Sequence, residues 1–282
     1  MTRPLRWARF APGPGVRGLK ILIVSDFHYA LPQFDWLLEA APNYDLVIYA
    51  GDLLDTNAIL DPGAQIVVVQ KYLRRLSLLT QLIVCSGNHD LDAAGPDGER
   101  RAKWIADLDH YGIPTDGESL TVGDLLITIC PWWDGPEAQK AIATQLAAAE
   151  PHRAGRQWMW VYHAPPPETP ISWSGQRYFG DAALVGWMAQ HSPDYVVSGH
   201  VHEAPFVREG SWVDRIGGAW VFNAGKQIGA VPTTIVIDTD AKQAVWFSLD
   251  GVESVRLDAP LERPVTQLSE LPQWMAKAAD PA

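Results

Sequence analysis

Seven residues of metal-binding type occur at five places in this chain that share one pattern: an apolar run ends and polar side chains follow at once. Asp26 and His28 follow the run 19–24, Asp52 follows 46–50, and Asn88 follows 82–85 through a turn at Gly87. His163 follows the run 158–162, and His200 and His202 follow 194–198 through Gly199. Beside Asn88 stand His89, whose imidazole titrates near ~6.5 when unperturbed, and Asp90, an anion able to orient it. Carboxylate, imidazole and amide oxygen together suit zinc, manganese or iron, and not calcium. Seven donors are too many for one tetrahedral ion, whereas two ions sharing a carboxylate use them all. Asp26 and His28 are two positions apart, as are His200 and His202, so in extended backbone each pair faces one side and is expected to serve one ion. The remaining histidines, His110, His152 and His191, stand outside the pattern and read as surface residues.

Such residues meet only if parallel strands carry them to a common edge, the place where open α/β sheets bind ligands. The order of elements predicts this. A helix over 33–41 with Phe34, Leu37, Leu38 and Ala41 on one face, and an amphipathic helix over 63–79, separate the first three strands. That β-α-β-α-β run argues for parallel strands with right-handed crossovers. Beyond it the sequence predicts a helix over 97–111, a hairpin about Gly123-Asp124, a helix over 136–149 and a strand over 158–162. A proline-rich loop, 164–177, precedes a helix over 181–190 and a strand over 194–198. Residues 205–257 read as strand throughout, with turns near 209–211, 217–218 and 240–242, and a short helical pattern falls near 266–278. We read one domain over 1–282, with a core at about 19–258, an N-terminal arm over 1–18 and a C-terminal extension over 259–282. The extension has two candidate roles, a lid over the site or the contact of a homodimer.

With 282 residues and 47% hydrophobic composition the chain can bury a large core. Its net charge of −11 repels polymeric phosphate and anionic lipid, so long nucleic acid and membrane are poor partners. A small phosphate ester stays compatible where metals or arginines supply local positive charge. Cys85 and Cys130 each close an apolar run with no C-x-x-C pattern and read as buried small hydrophobes, which suits a reducing compartment. No apolar stretch approaches the ~18 residues of a spanning helix, and the arginine-containing N-terminus, broken by Pro12, Gly13, Pro14 and Gly15, lacks a signal-peptide core. The expected location is therefore cytoplasmic.

The motifs D-x-H (Asp26, His28), G-D (Gly51, Asp52), G-N-H-D (residues 87–90), a lone His163 and G-H-x-H (residues 199–202) stand in the order of the calcineurin-like metallophosphoesterases, which the chain resembles over residues 25–202. The resemblance implies an α/β fold in which two mixed β-sheets pack as a sandwich flanked by helices. It implies that Asp26, His28 and His202 hold a first metal, that Asn88, His163 and His200 hold a second, and that Asp52 bridges them. The two ions would be Mn2+, Fe2+/Fe3+ or Zn2+. His89 would not be a ligand but would face substrate as general acid, oriented by Asp90. Two ions roughly 3.5–4 Å apart can share a hydroxide and aim it in line at phosphorus while clamping the ester oxygens.

Departures from the pattern narrow the branch. Asp55 stands where purple acid phosphatases resemble G-D-x-x-Y, and Thr56 stands where protein phosphatases carry the arginine of G-D-x-x-D-R. The fourth residue of the G-N-H motif is Asp90 and not glutamate, and His89 stands where the lipid A pathway hydrolases carry arginine. The chain thus looks nearest to the cyclic-nucleotide phosphodiesterase-like (class III) branch, which implies a small phosphodiester as substrate. A phosphomonoesterase, a nuclease and a non-catalytic protein-binding scaffold are the alternatives. Trp132, Trp133 and Trp173 are candidate walls of the substrate pocket, where an aromatic face could stack a base or an apolar alcohol, with core or lid packing as the competing role, and Tyr29 is a further candidate pocket residue. Arg177 and Lys226 are candidate phosphate ligands, with packing or surface ion pairing as the competing role of each.

Overall fold

In a computed structural model the described residues are 9–10, 18–272 and 275. The first parallel unit is β2 (Lys20–Val24), α1 (Leu31–Ala40), β3 (Leu46–Ala50), α2 (Pro62–Leu76) and β4 (Gln81–Cys85), preceded by a two-residue strand β1 (Arg9–Phe10). Strand β2 pairs parallel to β3, and β3 to β4. After a small ribbon of β5 (Ala93–Ala94) and β6 (Arg100–Arg101) come α3 (Lys103–Ala106), β7 (Ser119–Val122), β8 (Leu125–Ile129), α4 (Pro136–Ala149), β9 (Gln157–Val161), α5 (Ala182–His191) and β10 (Tyr195–Ser198). The chain continues through β11 (Val213–Ile216), β12 (Ala219–Asn223), β13 (Thr234–Asp238), β14 (Gln243–Ser248), β15 (Gly251–Arg256) and β16 (Thr266–Leu268).

These strands form two mixed seven-stranded sheets, ordered β1-β7-β8-β9-β10-β12-β11 and β16-β15-β14-β13-β2-β3-β4. The alternation of side chains along each strand explains how they stack. Ile21 and Ile23 of β2 point into a core shared with Ile127, Met159, Val197 and Phe222 of the other sheet. Leu22 and Val24 point the opposite way and pack under α1 and α2 with Phe34, Leu37, Val69 and Leu73. The second sheet does the same outward, where Leu126, Trp158, Trp160 and Val196 meet Ile142 and Leu146 of α4 and Leu184 and Met188 of α5. The result is a helix–sheet–sheet–helix sandwich, the architecture the resemblance implies.

Several expected elements are replaced. The helix over 97–111 is instead the ribbon strand β6, the four-residue α3 and a tight turn over 107–111. Gly98 takes a left-handed φ of 86° that reverses the chain, and the carboxylate of Glu99 is drawn to the N-terminus of α4, accepting from Glu137 N and Ala138 N at 2.7 Å each. Residues 224–233 are loop and not strand, and the turn expected near 209–211 is present, with Gly210 N donating to Val207 O at 3.0 Å, but it follows the tight turn at Ala204–Phe206 and joins no hairpin strands. Thr266–Leu268 pairs as a strand with β15 where the sequence suggested helix; residues 273–274 and 276–278 of that pattern lie outside the described residues, as does most of the arm 1–18. His191 is not a surface residue. It is 5% exposed, its Nδ1 lies 2.9 Å from Glu150 Oε2, and its ring meets the edges of Trp158 and Trp160. Cys85 and Cys130 are buried free thiols, and burial raises the pKa of both.

Candidate metal centre

Every residue of the pattern sits just beyond the C-terminal end of a parallel strand: Asp26 and His28 after β2, Asp52 after β3, Asn88 after β4, His163 after β9, and His200 and His202 after β10. Three of these strands belong to one sheet and two to the other, so the site spans one edge of the sandwich. The chain turns there through unfavourable backbone. Asp26, His28, Asp52 and His200 all have positive φ, between 44° and 72°, a conformation that costs of order 1–3 kcal/mol per residue and persists only where surroundings enforce it. Those surroundings include Asp26 N donating to Gly51 O, His28 N to Asp52 O and Tyr29 N to Leu53 O. Two glycines make room. A Cβ at Gly51 would lie 2.4 Å from His163 Nδ1, and one at Gly87 would lie 2.1 Å from Asp52 Oδ1.

Of the two pairs spaced two apart, Asp26 and His28 serve one group as expected, whereas His200 and His202 do not. Asp26, His28 and His202 converge in one group, and Asp52, His163 and His200 in another, each with donor atoms within 4.8 Å of one another. His200 and His202 thus part company, each joining a different group. Asn88 Oδ1 lies 2.9 Å from His200 Nδ1, which adds it to the second group. The two groups touch through the carboxylates. Asp52 Oδ2 is 3.2 Å from His163 Nε2 and 3.6 Å from His28 Nε2, while Asp26 Oδ1 is 3.4 Å from His202 Nε2 and 3.8 Å from His163 Nε2.

The donor set has the electronic character a pair of metal ions needs. His163 places Nδ1 2.7 Å from Ala50 O, which assigns the proton to Nδ1 and leaves the Nε2 lone pair facing the two carboxylates. That Nε2 is buried and has no hydrogen-bond partner. An imidazole nitrogen aimed at two carboxylates in a dry place calls for a proton or a metal ion between them. Burial lowers the pKa of His28 and of His200 to about 4, which keeps both lone pairs available. Burial opposes charge on Asp26 as well, but His202, His163 and His28 outweigh it and hold its carboxyl below the usual range.

His89 and Asp90 separate in role. The Asp90 carboxylate does not touch the His89 ring. It is fully buried and accepts four backbone N–H groups, from Gly87 at 2.8 Å, Asp52 at 2.9 Å, Leu53 at 3.0 Å and Leu54 at 3.1 Å. Adjacency in sequence suggests an imidazole partner; the turn points the side chain back under the Asp52 loop instead. The ring of His89 is held by Thr56, whose Oγ1 lies 2.8 Å from Nδ1. Its Nε2 is 4.0 Å from Asp52 Oδ2, and the ring stands edge-on to that of His28.

Each of the expected substrate-binding residues has a packing or hydrogen-bond partner outside the donor set. Tyr29 packs into the core beneath α1 and α2. Trp133 donates from Nε1 to Asp181 Oδ2 at 2.8 Å. Trp173 packs on Tyr178 and donates to Arg208 O at 3.1 Å, and Arg177 lies over Phe179, 4.2 Å from its centroid. Three further residues stand near the donors; the sequence marks Trp132 as a candidate pocket wall beside Trp133, but gives Asp55 and Thr56 no site role. Trp132 packs on both His163 and His200, with ring centroids 5.7 and 5.2 Å away. The Asp55 carboxylate lies within 4.8 Å of ring nitrogens of His28 and His89. Thr56 is the third. Only the doubled tryptophan and the acidic G-D-x-x-D spacing offer a signal for the first two. Lys226 is half-buried, its N–H donates to His202 O at 3.1 Å, and its charge acts on His28 and on Asp26, Asp55 and Asp52.

Residues 19–204 match the calcineurin-like phosphoesterase family, to which this chain belongs. The fold is similar to that of the protein TT1561 of Thermus thermophilus, at 15% identity and a TM-score of 0.54 over 85% of this chain and 99% of that one. It is also similar to the purple acid phosphatase PPD1 from yellow lupin (Lupinus luteus) seeds, at 12% identity and a TM-score of 0.50 over 86% of this chain and 52% of that one. No curated protein matches the chain significantly. No helix among the described residues is long and apolar enough to cross a membrane.

Proposed function

We propose that the chain is a two-metal phosphoesterase acting on small phosphodiesters, with a phosphomonoester as the alternative substrate. The observation that carries this reading is the buried Nε2 of His163, without a hydrogen bond and facing Asp52 and Asp26 at the seam of two donor groups. Asp26, His28 and His202 would hold one ion, Asn88, His163 and His200 the other, and Asp52 both. Bound there, the ions would withdraw charge from the phosphoryl oxygens and lower the pKa of a water nucleophile.

The remaining work falls to the chain's own side chains. His89 lies beside the donors with part of its ring open to solvent and presents Nε2 to the space in front of Asp52. It is the residue placed to serve the leaving oxygen as general acid or as transition-state hydrogen-bond donor. Lys226 supplies positive charge at the rim, where an anionic ester would otherwise meet the field of Asp26, Asp52 and Asp55. The net charge of −11 favours a small ester over a polymer.

The test compares leaving groups. In protein resupplied with manganese, His89→Ala should cost about 10²–10³ in kcat on diphenyl phosphate and far less on bis-(p-nitrophenyl) phosphate, whose leaving group needs no proton. Equal losses on both esters would contradict the acid role.

A further inference from the structure

Thr56 holds the His89 ring through two donors at once. Its Oγ1 is 2.8 Å from Nδ1, and its backbone N–H points at the same nitrogen from 3.4 Å. A hydroxyl alone could donate or accept. A backbone N–H can only donate, so Nδ1 must offer its lone pair, and a neutral ring must then carry its proton on Nε2. Nε2 is the nitrogen that faces the metal donors, and at 4.0 Å from Asp52 Oδ2 it is too far to spend its proton there. We infer that Thr56 is a positioning residue that locks His89 as the Nε2–H tautomer, aimed at the leaving oxygen of the substrate. This rests on the proposed role of His89 as donor to the leaving oxygen and narrows it: a neutral ring cannot lose its Nε2 proton without becoming imidazolate, so Nε2–H stabilises the departing oxygen through a hydrogen bond and solvent supplies the proton.

The loop that presents Thr56 is built for a fixed position although its tip is exposed. Gln65 of α2 is fully buried, and its side chain binds that loop three times. It accepts from Asp55 N at 2.9 Å and donates to Asp55 O and Leu60 O at 2.9 Å each. Asp55, whose carboxylate lies within 4.8 Å of ring nitrogens of His28 and His89, accepts from Asn57 N at 2.8 Å. Asp90, which adjacency suggests for the task, is committed to four backbone amides. A carboxylate at Nδ1 would place the proton on Nδ1 in the neutral ring. The threonine does the reverse, and leaves the donating hydrogen on the substrate side.

The experiment uses zinc-loaded, imidazole-15N-labelled protein and reads the two ring nitrogens of His89 by NMR, assigned by their loss in His89→Ala. Wild type and Thr56→Ser should show a protonated Nε2 and a bare Nδ1, and Thr56→Val, which keeps only the weaker 3.4 Å backbone contact, a mixture of tautomers. In the same set, kcat on diphenyl phosphate should fall about tenfold in Thr56→Val with KM and metal content unchanged, recover to within about twofold in Thr56→Ser, and stay within about twofold on bis-(p-nitrophenyl) phosphate. A proton on Nδ1 in the wild type, or Thr56→Val indistinguishable from wild type in both readouts, would overturn the inference. The His89→Ala control separates the two readings: if it leaves diphenyl phosphate turnover intact the acid role fails, and the NMR signature still decides what Thr56 does.

Discussion

His163 Nε2 and Asp52 Oδ2 lie 3.2 Å apart in a buried site, and no hydrogen bond satisfies the nitrogen. Burial opposes charging of this imidazole, but Asp52 and Asp26 outweigh it and push its pKa up to about 10 in the metal-free protein. A proton and a metal ion therefore compete for one lone pair. Below pH ~10 metal must displace that proton, so binding should release close to one proton from His163 and tighten as pH rises from 6 toward 9. Calorimetry in buffers of different ionisation enthalpy checks this. His163→Ala should abolish the release, and a pH-independent affinity in the wild type would contradict the assignment.

Asp90 is predicted to act through stability. Asp90→Ala strands four buried N–H donors on the loops that carry Asp52 and His89, at a cost of roughly 3–5 kcal/mol. Urea unfolding should show a loss of that size together with weaker metal binding. A variant as stable as wild type with reduced turnover alone would restore a direct catalytic role.

Trp132 packs on one donor ring from each of two strands, His163 and His200. Trp132→Ala should free both rings and weaken one metal by about 10-fold or more, while the other, held through Asp26, His28 and His202, changes little. Stepwise metal titration followed by elemental analysis distinguishes the two. Equal weakening of both ions, or none, would count against this packing role.

Lys226→Met should raise KM by about tenfold with a smaller change in kcat, because it removes charge that attracts the ester in ground state and transition state alike. A dianionic monoester should lose more than a monoanionic diester. An unchanged KM on both substrates would show that Lys226 faces solvent only.

Much of this site is legible in the sequence because its information is local. An apolar run followed by aspartate, histidine or asparagine marks a strand tip, and five such tips in α/β order predict their convergence. What extended geometry suggests for His200 and His202 fails because His200 takes φ of 72°, which no spacing rule anticipates. Asp90 departs from expectation for a related reason: adjacency says nothing about direction when a turn intervenes. Thr56 and Trp132 act across 33 and 31 positions, on His89 and His163, and contacts between loops leave no periodic trace. The helix expected over 97–111 gives way to a ribbon because Glu99 serves as a cap for α4, a tertiary demand that overrides local propensity.

The most direct measurement is turnover of bis-(p-nitrophenyl) phosphate beside p-nitrophenyl phosphate, in metal-stripped protein resupplied with manganese, with Asp52→Ala as control. The account predicts diester turnover that requires metal and a loss of both metal and activity in the variant. Turnover of the monoester alone would move the substrate class to phosphomonoesters. Full activity in metal-free protein, or in Asp52→Ala, would contradict the two-metal centre itself.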